Sequence, residues 1–404
     1  MPEVMTHTPS ETYLLDGMAK TPGWRLDLRD KFCEIGLPGK RDEDWKWSDW
    51  RGALDGRYDA KNPFQTFTDD LFNHTDLVAI ELNSDGWSEN GLWSSRVGEA
   101  SGILVGTASI TAPAGTSRGA ELASSLAGRA TEIRFLANER APALFVGRQE
   151  HSVLQVLVEA GASATLLDTF QGFAEAFAGE YHSVRVILEE GASLNHVIVD
   201  RDGQGDRVIV ADTHVSLAEN ATYTQTALSF GSQLSRHETH ISHAGAGAEA
   251  DLNAVYLLDE GRHCDFTSHV HHTGPGGITM QLVKGAVAAN ARGVFQGKFK
   301  VDKAAQQTDA RMTHRALMLD GRAEIDAKPE LEIYADDVQC AHGNAIGALD
   351  ETALFYMRQR GIPEARARAI LIESFLSEPL DNIENEVVRD ELRSMLSERL
   401  EAMT

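Results

Sequence analysis

Cysteine is scarce in this sequence. Cys33, Cys264 and Cys340 are the three among 404 residues. An odd number at wide spacing excludes a disulfide framework and points to a reducing, cytoplasmic setting. Positive charge is also in short supply: 37 Lys and Arg stand against 61 Asp and Glu, a formal net charge of -24. A nucleic-acid partner needs a dense positive face to neutralise phosphates, so that class is excluded. No apolar run reaches the roughly 18 residues that a membrane span requires, and Met1 to Leu15 has no basic segment leading into an apolar one. We therefore expect a soluble chain that is neither membrane-embedded nor secreted. The pattern Gly-x4-Gly-Lys-Ser/Thr is missing too, so the chain is not expected to hydrolyse ATP itself.

Three regions differ in pattern. Residues 1–150 form a helical and mixed region. Its first part, Glu11 to Trp50, carries Trp24, Trp45, Trp47 and Trp50 around the turn Gly36-Leu37-Pro38-Gly39. Further on, Gly102–Val105 reads as a strand and Ala120–Leu136 as weakly helical. Residues 151–345 show short runs of Val, Ile, Leu, Thr and Tyr separated by small-residue turns. Gly161, Gly191, Asn220 and Gly247 recur at a nearly constant interval, and each tolerates the left-handed backbone of a tight corner. Segments at Ala291–Phe295 and Gly321–Ile325 continue the series loosely after one longer gap, as if the register slipped once. One strand–turn unit of this length cannot bury its own apolar face, so the repeats should stack into a β-helix with one shared core. An antiparallel sandwich also has short strands and regular turns. The lack of long helices between strands argues against a doubly wound sheet.

Residues 346–404 read as helical. Asp350 suits the N-cap of a helix over Glu351–Arg360, Gly361 ends it, and Pro363 suits the first turn of the next, through Leu376. A third helix, about Ile383 to Met403, places Val388, Leu392, Met395, Leu396 and Leu400 on one face, as core packing or as a partner-binding stripe.

Three patterns carry chemistry. Gly115-Thr116-Ser117-Arg118-Gly119 fits the nucleophile elbow Gly-x-Ser-x-Gly, but Pro113 interrupts the strand that must enter it. His263-Cys264-Asp265 with His269, His271 and His272 is the densest cluster of metal-capable residues. On a strand, His269 and His271 share a face and can form a two-histidine metal site, or can simply be solvated on the outside of a solenoid. Cys340-Ala341-His342 puts sulfur and imidazole nitrogen on one face of an extended segment, donors suited to iron or zinc. Two ligands leave a metal site open, so the others must come from elsewhere in the fold or from a partner. Asp336 and Asp337 are adjacent, so on a strand their carboxylates diverge and cannot act together in glycoside hydrolysis.

The run Lys328–Gly343, KPELEIYADDVQCAHG, resembles the signature of SufD-type members of the SufB/SufD family of the SUF iron–sulfur assembly system. Leu354–Ile362 resembles the family's helix end, with Gln359 in place of the usual serine, and Phe375 stands where the family has a later phenylalanine. Lys284-Gly285, Val294-Phe295-Gln296-Gly297, Ala305–Ala310 and the N-terminal Gly36-Leu37-Pro38 with Glu43–Ser48 extend the likeness. The form Cys-x-His-Gly at Cys340–Gly343 is SufD-like; SufB-like chains have His-Glu-Ala there. Ala341 replaces the usual serine and Asn344-Ala345 the usual Ala-Thr.

The resemblance implies a mainly β protein, a right-handed parallel β-helix flanked by N- and C-terminal helical regions. It implies a non-enzymatic scaffold, paired with a SufB-like paralogue through the β-helix, or with a second copy of itself. It also implies that a SufC-like ABC ATPase binds the C-terminal helices, through Phe355, Tyr356, Arg358, Arg360, Gly361 and Phe375. His342, with Cys340 beside it, is implied to face the SufB-like chain and to help hold a transient iron–sulfur cluster shared with it, with no permanently bound cofactor. No motif indicates a flavin. A β-helix enzyme acting on carbohydrate and a stand-alone metal-binding protein are the other readings; the first rests on fold analogy alone.

Overall fold

A computed structural model describes residues 7–18, 24–54, 78–83, 86–88, 102–110, 117–137, 141–148, 151–170, 179–200 and 207–403. The protein is mainly β, a parallel β-solenoid with helices at both ends of the chain. Among the described residues one sheet has ten strands and the other nine. Successive strands alternate between the two sheets, so each rung is one strand from each. The first sheet ends on Asp309–Met318 and Gln339–Gly347, the second on Arg292–Val301 and Glu324–Ile333. Pairing is parallel along the stack. Two antiparallel pairs stand at its N-terminal end, Val78–Asn83 with Gly86–Ser88 and Ile103–Ala108 with Ala130–Phe135.

The corners explain the internal period. Gly161, Gly191, Asn220 and Gly247 all have positive φ, between 54° and 71°, as the small-residue spacing predicts. Each corner amide donates to a carbonyl in the corner of the next rung, for example Gly191 N to Glu219 O at 2.9 Å and Gly247 N to Pro275 O at 3.0 Å. The register does not slip: this series continues at Gly276 and Gln307. Ala291–Phe295 and Gly321–Ile325 belong to the opposite corner, which runs through Gly231, Gly261 and Asn290. Two interleaved corner series look like one slipped series in the sequence.

Alternation along each strand sends one set of side chains inward. Ala254, Tyr256, Phe266, Val270, Val283, Phe295 and Phe299 belong to a single buried core that runs the length of the solenoid. Gly285 and Gly293 are dictated by Tyr256: a Cβ on either would fall 1.9 Å or 2.6 Å from its ring.

Both outer faces are partly covered. The helices Pro9–Met18 and Arg118–Leu126, with Trp45 and Trp50, pack on Tyr181, Val208, Val210 and Leu234 outside the nine-stranded sheet. The C-terminal helices Glu364–Leu376 and Glu386–Ala402 pack on Val197, Val199, Leu228 and Leu257 outside the ten-stranded one. Val388, Leu392, Met395, Leu396 and Leu400 are all buried there, so that stripe is core and not a docking face. At about 1.5–3 kcal/mol for each large apolar side chain buried, it anchors the helix.

Three local expectations change. Within Ala120–Leu136 the helix stops at Leu126 and Ala130–Phe135 is a strand, because Thr131-Glu132-Ile133-Arg134-Phe135 alternates with the period of two that suits a half-buried sheet. Pro363 is the N-cap of the helix that begins at Glu364, not a first-turn residue. The last helix starts at Glu386, where Asn385 accepts from the amides of Val387 and Val388. Among the described residues no helix is long and apolar enough to cross a membrane.

Candidate functional site

Cys340 and His342 lie on Gln339–Gly347, the outermost strand of the ten-stranded sheet. Register pairs Cys340 with Ala310, His342 with Met312, Asn344 with His314 and Ile346 with Ala316. Ala310, Met312 and Ala316 belong to the solenoid core, so Cys340, His342, Asn344 and Ile346 prolong the inward-facing column of the last rung, which no further rung covers among the described residues. Cys340 is half-buried against the end of the core and beside Val301, Ala305 and Ala335. Burial pushes its thiol above the usual cysteine value. His342 is exposed. Opposite, the outermost strand Glu324–Ile333 leaves Ile325, Ala327 and Leu331 half-covered, and Ile333 (40% exposed), Tyr334 (60%) and Ile346 (39%) stand on the same rim.

A polar string reaches this rim from the interior. His314 is fully buried, with Nε2 2.8 Å from the hydroxyl of Tyr256 and Nδ1 2.7 Å from Oδ1 of Asn344. Burial holds its imidazole down at about 4, although the Asn344 contact works against that, so the ring is neutral at physiological pH. No sequence pattern singles out His314 or Tyr256. Their partners are 30 and 58 residues away and meet only across rungs.

His269 and His271 share the outer face of His263–His272, as alternation requires, but turn to different partners. His269 stacks on His240 at 4.8 Å and faces Glu238; His271 Nε2 lies 2.9 Å from an Asp302 oxygen. His263 approaches Ser48 at 3.1 Å. Cys264 is fully buried in the core, and burial raises its thiol well above the ordinary value. Ser117 is a helix N-cap: its Oγ accepts from Ala120 N and donates to Asp212. With its oxygen so engaged it is not a free nucleophile, and residues 111–116, including Gly115, lie outside the described residues.

Comparison with known proteins decides the family. Residues 141–375 match the family described as SUF system FeS cluster assembly, SufBD core domain. The chain belongs to the SufBD family. The SufBD match takes in both Cys340 and His342, and the SufD-like signature of Lys328–Gly343 falls within it. The chain is 34% identical over 241 residues to the Arabidopsis thaliana protein ABCI7, chloroplastic, covering 59% of this chain and 50% of that one. It is 34% identical over 212 residues to an iron–sulfur cluster assembly SufBD family protein of Synechocystis, covering 52% and 47%. It is 30% identical over 242 residues to the Escherichia coli iron–sulfur cluster assembly protein SufD, covering 59% and 56%. The chain thus spans about half the length of these curated relatives.

In this SufBD chain the C-terminal residues fall into two groups. Phe355 (56% exposed) and Tyr356 (63%) stand on Glu351–Gln359 with their rings edge-on at 6.1 Å. Arg358, Arg360 and Gly361 are exposed beside them. Asp350 caps the helix through the amides of Thr352 and Ala353. Phe375 instead packs inward, half-buried against the C-terminal core, with the Lys284 ammonium 4.5 Å from its ring centre and 2.8 Å from its carbonyl oxygen. Lys284 also pairs with Glu378. One side chain of the Lys284-Gly285 motif thus ties solenoid to helix, and its neighbour makes room for Tyr256.

Proposed function

We propose that this SufBD chain is a non-catalytic scaffold subunit of the SUF iron–sulfur assembly complex, pairing with a SufB-like chain through its last rung. The observation that carries this reading is the uncovered end of the solenoid. An edge strand with free backbone groups and exposed apolar side chains is a template for another chain, and here it bears Cys340 and His342. A second β-solenoid laid against Gln339–Gly347 would cover Ile346, Tyr334 and the half-buried Cys340, and would bring its own donors to the two present. A nascent cluster, as cargo and not as resident cofactor, would then be shared across the pair. A second copy of this chain can occupy the same edge when the SufB-like chain is absent.

The SufC-like ABC ATPase is assigned to Glu351–Gln359. Phe355 and Tyr356 form an exposed aromatic pair flanked by Arg358 and Arg360, the residue types that anchor protein interfaces. Closure of an ATPase pair on these helices would shift the scaffold between two arrangements and expose the ligands at the last rung. Three unbridged cysteines suit work in the reducing cytoplasm.

The test is the exposed imidazole. His342→Ala in the native chromosomal copy should abolish or sharply reduce SUF-dependent cluster assembly while leaving expression and complex recovery intact. Undiminished assembly would remove the ligand role.

A further inference from the structure

The outer face of the nine-stranded sheet carries a ladder that the last rung does not explain. Register places His214, His240 and His269 side by side on three successive strands. Their rings stack, 4.5 Å apart and 2° from parallel for His214–His240, 4.8 Å and 14° for His240–His269. Asp212 and Glu238 form the neighbouring column, paired across the first two of these strands. A whole rung of sequence separates each histidine from the next, which hides the arrangement from any motif search.

We propose that this ladder is a second, independent metal site that binds one divalent first-row transition-metal ion through imidazole nitrogen and carboxylate oxygen. The candidate donors of Asp212, His214 and His240, and those of Glu238, His240 and His269, lie within 4.8 Å of one another in each set. His240 belongs to both. Its Nε2 is 2.9 Å from Glu238 Oε1 and 4.0 Å from Asp212 Oδ1. Closing such a set to metal–nitrogen distances of about 2.0–2.1 Å takes small side-chain rotations.

Of Asp212, Oδ1 is the oxygen nearest His214 and His240, at 3.9 and 4.0 Å, and it also accepts from Ser117, while Oδ2 is buried with no hydrogen-bond partner. Asp212 is completely buried. Arg236 takes Oε2 of Glu238 and leaves Oε1 facing His240 and His269. Nε2 of His214 is also buried without a hydrogen-bond partner. Two buried carboxylates side by side want more positive charge than Arg236 supplies, because Arg236 is also paired with Asp265. Arg185 beside His214 and Lys298 beside His269 border the ladder, but Lys298 is engaged by Glu332 at 2.6 Å. Two imidazoles in either set favour transition metals over magnesium or calcium, which take oxygen ligands. A path from solvent exists: His269 lines an open cleft of about 420 Å3 with Asp44, Lys298 and Lys328.

The test is an anaerobic titration of the tag-free full chain with Co(II), followed by its visible absorption and by calorimetry. One equivalent should bind with a nitrogen–oxygen ligand-field spectrum, and the affinity should grow between about pH 6 and about pH 8 as ligand protons are released. His240→Gln should weaken binding by at least about 100-fold, since loss of an outer-sphere partner alone costs about 10–100-fold. His269→Gln, at a half-exposed ring, keeps the test decisive if H240Q fails to fold, and should weaken binding by about 10-fold or more. His271→Gln and His342→Ala should bind Co(II) as the unaltered chain does, which separates this site from the last rung. Absence of binding, or equal binding in the unaltered chain, H240Q and H269Q, would overturn the proposal and leave the ladder as stacked neutral imidazoles.

Discussion

Nδ1 of the buried His314 lies 2.7 Å from Oδ1 of Asn344 on the outermost strand. The interior of the solenoid is thereby tied to its last rung. Asn344→Ala would leave a buried ring nitrogen unpaired, at a cost of about 1–3 kcal/mol. A lower urea midpoint with an unchanged slope is expected. No change would mean that water replaces Asn344 at no cost.

Tyr256 sets a second prediction. Gly285→Ala places a methyl group 1.9 Å from its ring, and the ring cannot retreat without leaving His314. Overpacking of this kind costs about 1–3 kcal/mol or more. Gly343→Ala, where a Cβ meets nothing within 4 Å, should be close to neutral. Thermal melts of the two variants compare them directly.

The last rung and the C-terminal helices can be separated by what their variants leave intact. Phe355→Ala and Tyr356→Ala should not alter the melting temperature, since both rings are more than half exposed, but should remove co-purification of the ATPase. Phe375→Ala should lower stability by about 2 kcal/mol or more through lost packing. If F355A and Y356A destabilised the fold as F375A does, the docking assignment would fail.

Acid should weaken the fold over a defined range. Burial lowers His151, His263, His272 and His314 to about 4 and His214 and His243 to about 3. Groups whose pKa is depressed on folding stabilise above their unfolded value and lose that contribution as pH falls. Asp212, His240 and Asp251 are raised and run the other way, but the depressed imidazoles, which include His182 and His269 as well, outnumber them. The urea midpoint should therefore fall as pH drops from about 6.5 to about 4. A midpoint that holds steady or rises on acidification would contradict the burial of these rings.

How much of this is legible in the sequence depends on the length scale of the signal. The corners are legible because Gly161, Gly191, Asn220 and Gly247 need a backbone that few residues adopt, and that requirement shows in composition. The helix cap at Asp350 is legible for the same local reason. Gly276 and Gln307 escape notice because glutamine gives no hint of a positive φ, and the opposite corner fills the gap with glycines of its own. His269 and His271 stand together in sequence, yet the partner that matters for His269 is His240, one rung away. Alternation gives the face of a side chain; register gives its neighbours, and no single strand contains the register. The stripe on the last helix is ambiguous for a related reason, since core and docking faces have the same periodicity until the opposing surface is known.

The most direct measurement of the central claim is hydrogen exchange at the amides of Gln339–Gly347, in the chain alone and in its complex with a SufB-like chain purified anaerobically. Pairing through the last rung predicts fast exchange in the isolated chain and strong protection of this strand in the complex, with Glu351–Gln359 unchanged until the ATPase is added. Equal exchange in both states, with protection appearing elsewhere on the solenoid, would contradict it.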